Sequence, residues 1–156
     1  MSSVIEQSIE VEVPVSTAYN QWTQFEEFPR FMEGIEEVKQ LGDKEMQWRA
    51  KIGGKTEEWL AHVTEQVPDM RVAWRSDLGT HNAGVVTFHR ISDATTRIML
   101  QLEYDPQGFV ENVGDFVGVT ERRVKGDLER FKRFIEDRGV ETGAWRGEVS
   151  RPETAH

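Results

Sequence analysis

Cysteine is missing from this sequence altogether. Its absence excludes disulfides, a thiolate nucleophile and any zinc or iron–sulfur centre held by cysteine. Basic residues are also scarce, with 19 Lys and Arg against 28 Asp and Glu and a formal net charge of −9. That balance does not supply the basic footprint a phosphate backbone requires, so nucleic acid is not an expected partner. No window approaches the roughly 18 consecutive apolar residues of a membrane span. The first residues, Met1-Ser-Ser-Val-Ile-Glu, lack a basic stretch followed by an apolar run. The expectation is a soluble, cytoplasmic chain with no integral membrane span. The four histidines, His62, His81, His89 and His156, form no HxH, HExxH or i,i+4 pair. The carboxylates show no ligand spacing either, so neither a metal centre nor a cofactor is expected.

What is present is a pattern of periodicities. The 156 residues match one domain and are short for two independent cores. Ile5, Ile9, Val11 and Val13 share one parity and Glu6, Ser8, Glu10 and Glu12 the other, the mark of a half-buried strand. Pro14 ends it, Ser16 reads as an N-cap, and residues 15–33 read as two short helices broken near Pro29. From 34 to 105 alternating runs are cut by turn residues at Gly42-Asp43, Gly53-Gly54, Pro68-Asp69, Ser76–Gly79 and Ser92-Asp93-Ala94. These are six strands with short connections, hence antiparallel, and seven with the first. Val113, Phe116, Val117, Thr120, Val124, Leu128, Phe131 and Ile135 then recur three or four residues apart, one stripe along a long helix that stops at Gly139. The predicted organisation is a domain over residues 1–138 and a polar C-terminal tail over 139–156, with Trp145 its one apolar anchor.

Strand, two short helices, six meandering strands and a long amphipathic helix form an α+β domain whose single helix must cover a curled sheet. The order of elements, with Phe28-Pro29-Arg30-Phe31-Met32, Trp59, Glu65-Gln66-Val67-Pro68 and Val72-Ala73-Trp74-Arg75-Ser76, resembles the polyketide cyclase/dehydrase branch of the START-like (SRPBCC) superfamily. The resemblance covers nearly the whole chain except the tail. It implies a helix-grip fold, a curved seven-stranded antiparallel sheet wrapped on the long helix, with a deep apolar cavity between them.

By strand parity the concave face presents Trp48, Ala50, Ile52, Trp59, Ala61, Val63, Val72, Trp74, Val86, Phe88, Ile98, Leu100, Leu102 and Tyr104. The helix adds Phe116, Val117 and Thr120. Phe25, Phe28 and Phe31 are expected as a rim or gate at one end. Such an aromatic lining suits a flat or conjugated ligand, though large aromatics also fill a curled sheet that has no cavity. Tyr104, Glu65 and Glu57 are the candidates for proton transfer, because a carboxylate facing an apolar cavity has its pKa raised. Against this, Glu65 and Glu57 lie near strand ends, which are usually solvated. His62 and His89 fall on the outward parity, as do Arg49 and Arg75, and His81 with Asn82 sits in a turn at the cavity end. Gly114 and Gly118, four apart, make the first half of the long helix either soft or closely approached.

Three classes of function remain. The first is binding of a hydrophobic small molecule, aromatic or isoprenoid-like (a lipid, quinone or polyketide), by a carrier, sensor or chaperone. The second is an enzyme that cyclises and dehydrates a poly-β-ketone held in the same cavity. Cyclases of this resemblance use inward arginine and tyrosine, and parity offers Tyr104 but no inward arginine. The third is a protein-interaction module with a filled core. A homo-oligomer is compatible with each.

Overall fold

The computed structural model describes residues 3–32, 34–42, 44–52, 55–78, 82–104 and 113–145, with side chains in the last helix from Glu121 onward. The strands are β1 (Ser3–Val11), β2 (Ile35–Gln40), β3 (Glu45–Ile52), β4 (Lys55–Val67), β5 (Arg71–Leu78), β6 (Asn82–Ser92) and β7 (Thr95–Tyr104). Helix α1 spans Val15–Trp22, a 3-10 helix spans Phe25–Arg30, and α2 spans Val113–Arg138. All seven strands form one sheet in the order β1-β7-β6-β5-β4-β3-β2, every pair antiparallel. The curled seven-stranded sheet with its C-terminal helix is the architecture expected from the periodicities.

Local chemistry explains the breaks. α1 begins at Val15, not after Ser16, and Pro14 precedes it in extended conformation with no side-chain cap. Proline's fixed φ and missing N–H suit a helix entry, so no hydroxyl is needed there. The second short helix is 3-10, and this corrects the expected rim. With about three residues per turn, Phe25, Phe28 and Phe31 stack on one face, and that face is turned into the core: all three are fully buried. Gly139 ends α2 at φ 72°, donating its N–H to the Ile135 carbonyl.

Side chains of the helices cover the two sheet edges. On the β1 side, Lys132 Nζ donates to the Glu10 carbonyl at 3.0 Å, and Glu136 Oε2 accepts the Glu12 N–H at 2.7 Å. On the β2 side, Glu26 Oε2 accepts the Gln40 N–H at 2.9 Å. Burial pulls the Glu136 carboxyl upward, but donation from Lys132 and from the Glu12 N–H, with the Lys132 charge, outweighs it and holds the group below its ordinary 4.5. A depressed carboxylate contributes stability above its unfolded pKa and loses it as the pH falls through the folded value. Glu136→Gln is therefore expected to lower stability in urea melts at neutral pH, with the gap to wild type narrowing as the pH falls below 4.5 and through the lowered folded-state value. A deficit that does not narrow would rule out this ionic contribution.

Candidate functional site

The concave face is organised by three indoles. Trp48 on β3 lies directly opposite Trp59 on β4, while Trp74 on β5 pairs with Val63. The Trp48 and Trp59 rings stack at 5.9 Å and 15°, and Trp48 and Trp74 at 6.5 Å and 20°, so the three planes are nearly parallel. Phe28 closes one side at 5.6 Å from Trp48, and beyond it a continuous aromatic cluster runs through Trp22 and Phe31 to Phe131 and Phe134 on α2. Tyr19 of α1 meets Phe88 edge-on at 5.5 Å.

Trp48, Trp59, Trp74 and Leu100 keep 4–6% of their surface and Leu102 is half-buried, whereas Val72, Val86, Ile98 and Phe28 keep none. By register the row lies toward the end where β4 begins and β7 finishes, with Trp74 opposite Gly84 and Gly84 opposite Leu102, while α1 covers the other end, where Tyr19 meets Phe88. Nε1 of Trp48 and of Trp22 is buried without a hydrogen-bond partner among the described residues, an uncommon state for a buried donor.

The polar candidates fall elsewhere. A bulge between Val63 and Glu65 reverses the parity of β4. Past it, Glu65 leaves the concave face and pairs with Arg71 at 3.0 Å. Gln66, which parity had placed outward, is fully buried and donates from Nε2 to the Trp145 carbonyl at 3.1 Å. Glu57, opposite Ala50, is half-buried. Arg49 lies on the outer face between Glu36 and Glu37, 3.2 Å from each. Arg75 and His89 are exposed, and His62 is half-buried on the face opposite Ala61 and Val63. The side chains of Tyr104, Phe116, Val117, Thr120, Asn82 and Ile52, and residue His81, lie outside the described residues, as does the packing of Gly114 and Gly118. Among the described residues no cluster of His, Asp or Glu could hold a metal ion, and no helix is long and apolar enough to cross a membrane.

The segment after α2 does not lead away from the domain. Residues 141–145 lie along α1, where Trp145 packs on the core and hydrogen bonds reach Asn20, Gln21, Thr23 and Gln66. The lone tryptophan in a polar tail was the available signal. What it docks on was hidden, because the receiving side chains are polar and scattered.

Residues 11–133 match the sequence model of a family described as polyketide cyclase / dehydrase and lipid transport. An uncharacterised 17.2 kDa protein of Streptomyces lincolnensis, from the melC2-rnhH intergenic region, is 55% identical over 148 residues, 94% of this chain and 99% of its own. Among solved structures, the Zhui aromatase/cyclase of Streptomyces sp. R1128 superposes with a TM-score of 0.71 at 15% identity, covering 93% of this chain and 100% of that one. A START superfamily protein of Mycobacterium smegmatis gives 0.68 at 14%, covering 86% and 95%. These structural likenesses establish the helix-grip fold.

One residue that shapes the indole row has no side chain. Gly84 on β6 lies opposite Trp74, and a Cβ there would fall 2.5 Å from Trp74 Cζ2 and 2.9 Å from Cε2. Glycine inside a strand often marks such a close approach, and here it gives the indole a place over β6. Gly84→Ala is expected to displace Trp74 from the row and cost about 1–3 kcal/mol. The check is a shifted tryptophan emission together with a lowered melting temperature; unchanged emission would show that the ring does not depend on the gap.

Proposed function

The chain belongs to the polyketide cyclase / dehydrase and lipid transport family, and from that premise we propose that it binds a hydrophobic, aromatic or isoprenoid-like small molecule between its sheet and α2, as a carrier, sensor or chaperone of that ligand. The observation that carries this reading is the indole row. Three nearly parallel, buried rings line the concave face, and stacking against a flat or conjugated molecule uses ring faces without demanding charge. The unpartnered Trp48 Nε1 adds a donor that a carbonyl-bearing ligand would satisfy.

A cyclase needs groups that move protons at the substrate. The buried polar side chains among the described residues are Asn20, Gln21, Thr23, Gln66 and Thr96, none of which titrates near neutral pH, together with the Tyr19 hydroxyl on α1, whose ring meets Phe88. Glu65 is engaged by Arg71 on the other side of the bulge. This distribution supports binding over catalysis.

Native mass spectrometry of the protein purified from cells, followed by a titration with quinones, lipids and aromatic polyketides, tests the reading. A stoichiometric hydrophobic species is expected. Trp59→Ala or Trp74→Ala should weaken binding at least about tenfold, while Glu57→Gln and Glu65→Gln stay within about twofold. If the carboxylate changes instead abolished a turnover while sparing affinity, the cyclase reading would replace this one. A protein that takes up none of the panel has a filled core.

A further inference from the structure

The buried polar residues of the described domain gather at the end covered by α1, and four of the five meet one short segment. Gln21, with no exposed surface, grips Thr142 twice: its Oε1 accepts the Thr142 N–H at 2.8 Å and its Nε2 donates to the Thr142 hydroxyl at 3.0 Å. Asn20 Nδ2 donates to the Glu141 carboxylate at 2.6 Å. The Trp145 N–H donates to the Thr23 hydroxyl at 3.1 Å, and the Trp145 carbonyl accepts from Gln66 Nε2 at 3.1 Å. Thr23 in turn donates to the Asn20 carbonyl and accepts from Gln24 Nε2, so that hydroxyl is fully used.

Each position of the segment is read by a different feature. Thr142 is read through both its backbone and its hydroxyl. At residue 143 a Cβ would fall 2.7 Å from Gln24 Oε1, pushing that amide off Thr23, so glycine fits best. Ala144 is exposed and unread, and Trp145 anchors its ring on the core while both its backbone groups are held. The recess thus selects Glu-Thr-Gly-x-Trp in extended form, with side chains supplying the backbone contacts that a sheet edge supplies elsewhere. The receiving residues lie within the span shared with the family and the segment lies beyond it, which ends at residue 133.

We propose that the recess between α1 and the end of β4 is a sequence-reading peptide site, and that residues 141–145 occupy it as a detachable ligand for which the same segment of a second copy competes. Three features make it detachable. Its contacts are largely polar and exchange for water with little net change. Gly139, at φ 72°, and the exposed Val140 connect it to α2 without burying apolar surface. The ring contacts that join Trp22 to Phe28 and to Phe131 do not involve Trp145, which is only partly buried against the core. The proposal is independent of any ligand in the indole row.

The test uses the full chain and a fluorescein-labelled synthetic peptide of residues 139–148, followed by anisotropy. In wild type the tethered segment competes at high effective concentration, so the peptide is expected to bind the Trp145→Ala chain at least about tenfold more tightly than wild type. Alanine for glycine at peptide position 143, or Gln66→Leu added to the Trp145→Ala chain, should each weaken binding several-fold, and serine for Ala144 should change nothing. Equal or absent binding to wild type and the Trp145→Ala chain, or binding indifferent to position 143 and to Gln66, would overturn the proposal. So would loss of the folded circular dichroism spectrum in Trp145→Ala, because a detachable segment is not needed for folding.

Discussion

One helix is narrower than the face of a seven-stranded sheet, and the aromatic wedge that makes up the difference is the contact on which this domain depends. Seven strands would span roughly 29 Å if flat, against about 10–12 Å for a helix with its side chains. Curling brings the sheet toward α2, and the space left is taken by Phe25, Phe28 and Phe31 on the 3-10 helix, with Trp22 from α1. Phe28 touches Trp22 and Trp48, while Phe31 touches Phe131 and Phe134. The wedge therefore joins the long helix to the indole row through ring contacts, with Arg130 Nε of α2 also donating to the Phe31 carbonyl at 2.9 Å. Edge and tilted contacts predominate in the wedge and near-parallel ones in the row, so the wedge is packed as a core and the row leaves its faces aligned.

A sheet that curls without closing keeps two edges, and each is a template for unwanted pairing. Here the helices answer both, with Lys132 and Glu136 of α2 on β1 and Glu26 of the 3-10 helix on β2. The same elements that fill the concave face thus also occupy backbone groups that a neighbouring strand would seek. Position in the wedge and protection of the edge are linked: Glu26 caps β2 because Phe25 and Phe28 on either side of it are fixed in the core.

Periods of two and of 3.6 residues are large signals, and they make the seven strands, their antiparallel pairing and the long helix readable in the sequence, though not the placing of β1 beside β7. The tryptophans of the row were readable for the same reason, each standing on the apolar parity of its strand. Features that depend on a single residue's backbone were not. A 3-10 and an α-helix share short sequences, so the inward stack of Phe25, Phe28 and Phe31 looked like a rim. Proline did the work expected of Ser16 at the start of α1. The docking of 141–145 required knowing that Gln21, Thr23 and Gln66, far apart in sequence and individually unremarkable as polar residues, meet in space.

The bulge in β4 shows how much chemistry one backbone irregularity can decide. With unbroken alternation after Val63, Glu65 would enter the concave face and Gln66 would leave it. A carboxylate there would face apolar walls, at a desolvation cost that only a partner or a proton relieves. The extra residue between Val63 and Glu65 exchanges the two. Glu65 reaches Arg71 on the partly solvated side, where an ion pair costs little to form. Gln66 goes inside, where a neutral amide can be buried because the Trp145 carbonyl accepts its hydrogen bond. Charge elsewhere follows the same division, since Arg49 with Glu36 and Glu37, and Arg97 with Glu10, lie on exposed surface. Apart from the Tyr19 phenol, the fully buried side chains of the described interior thereby carry no ionisable group.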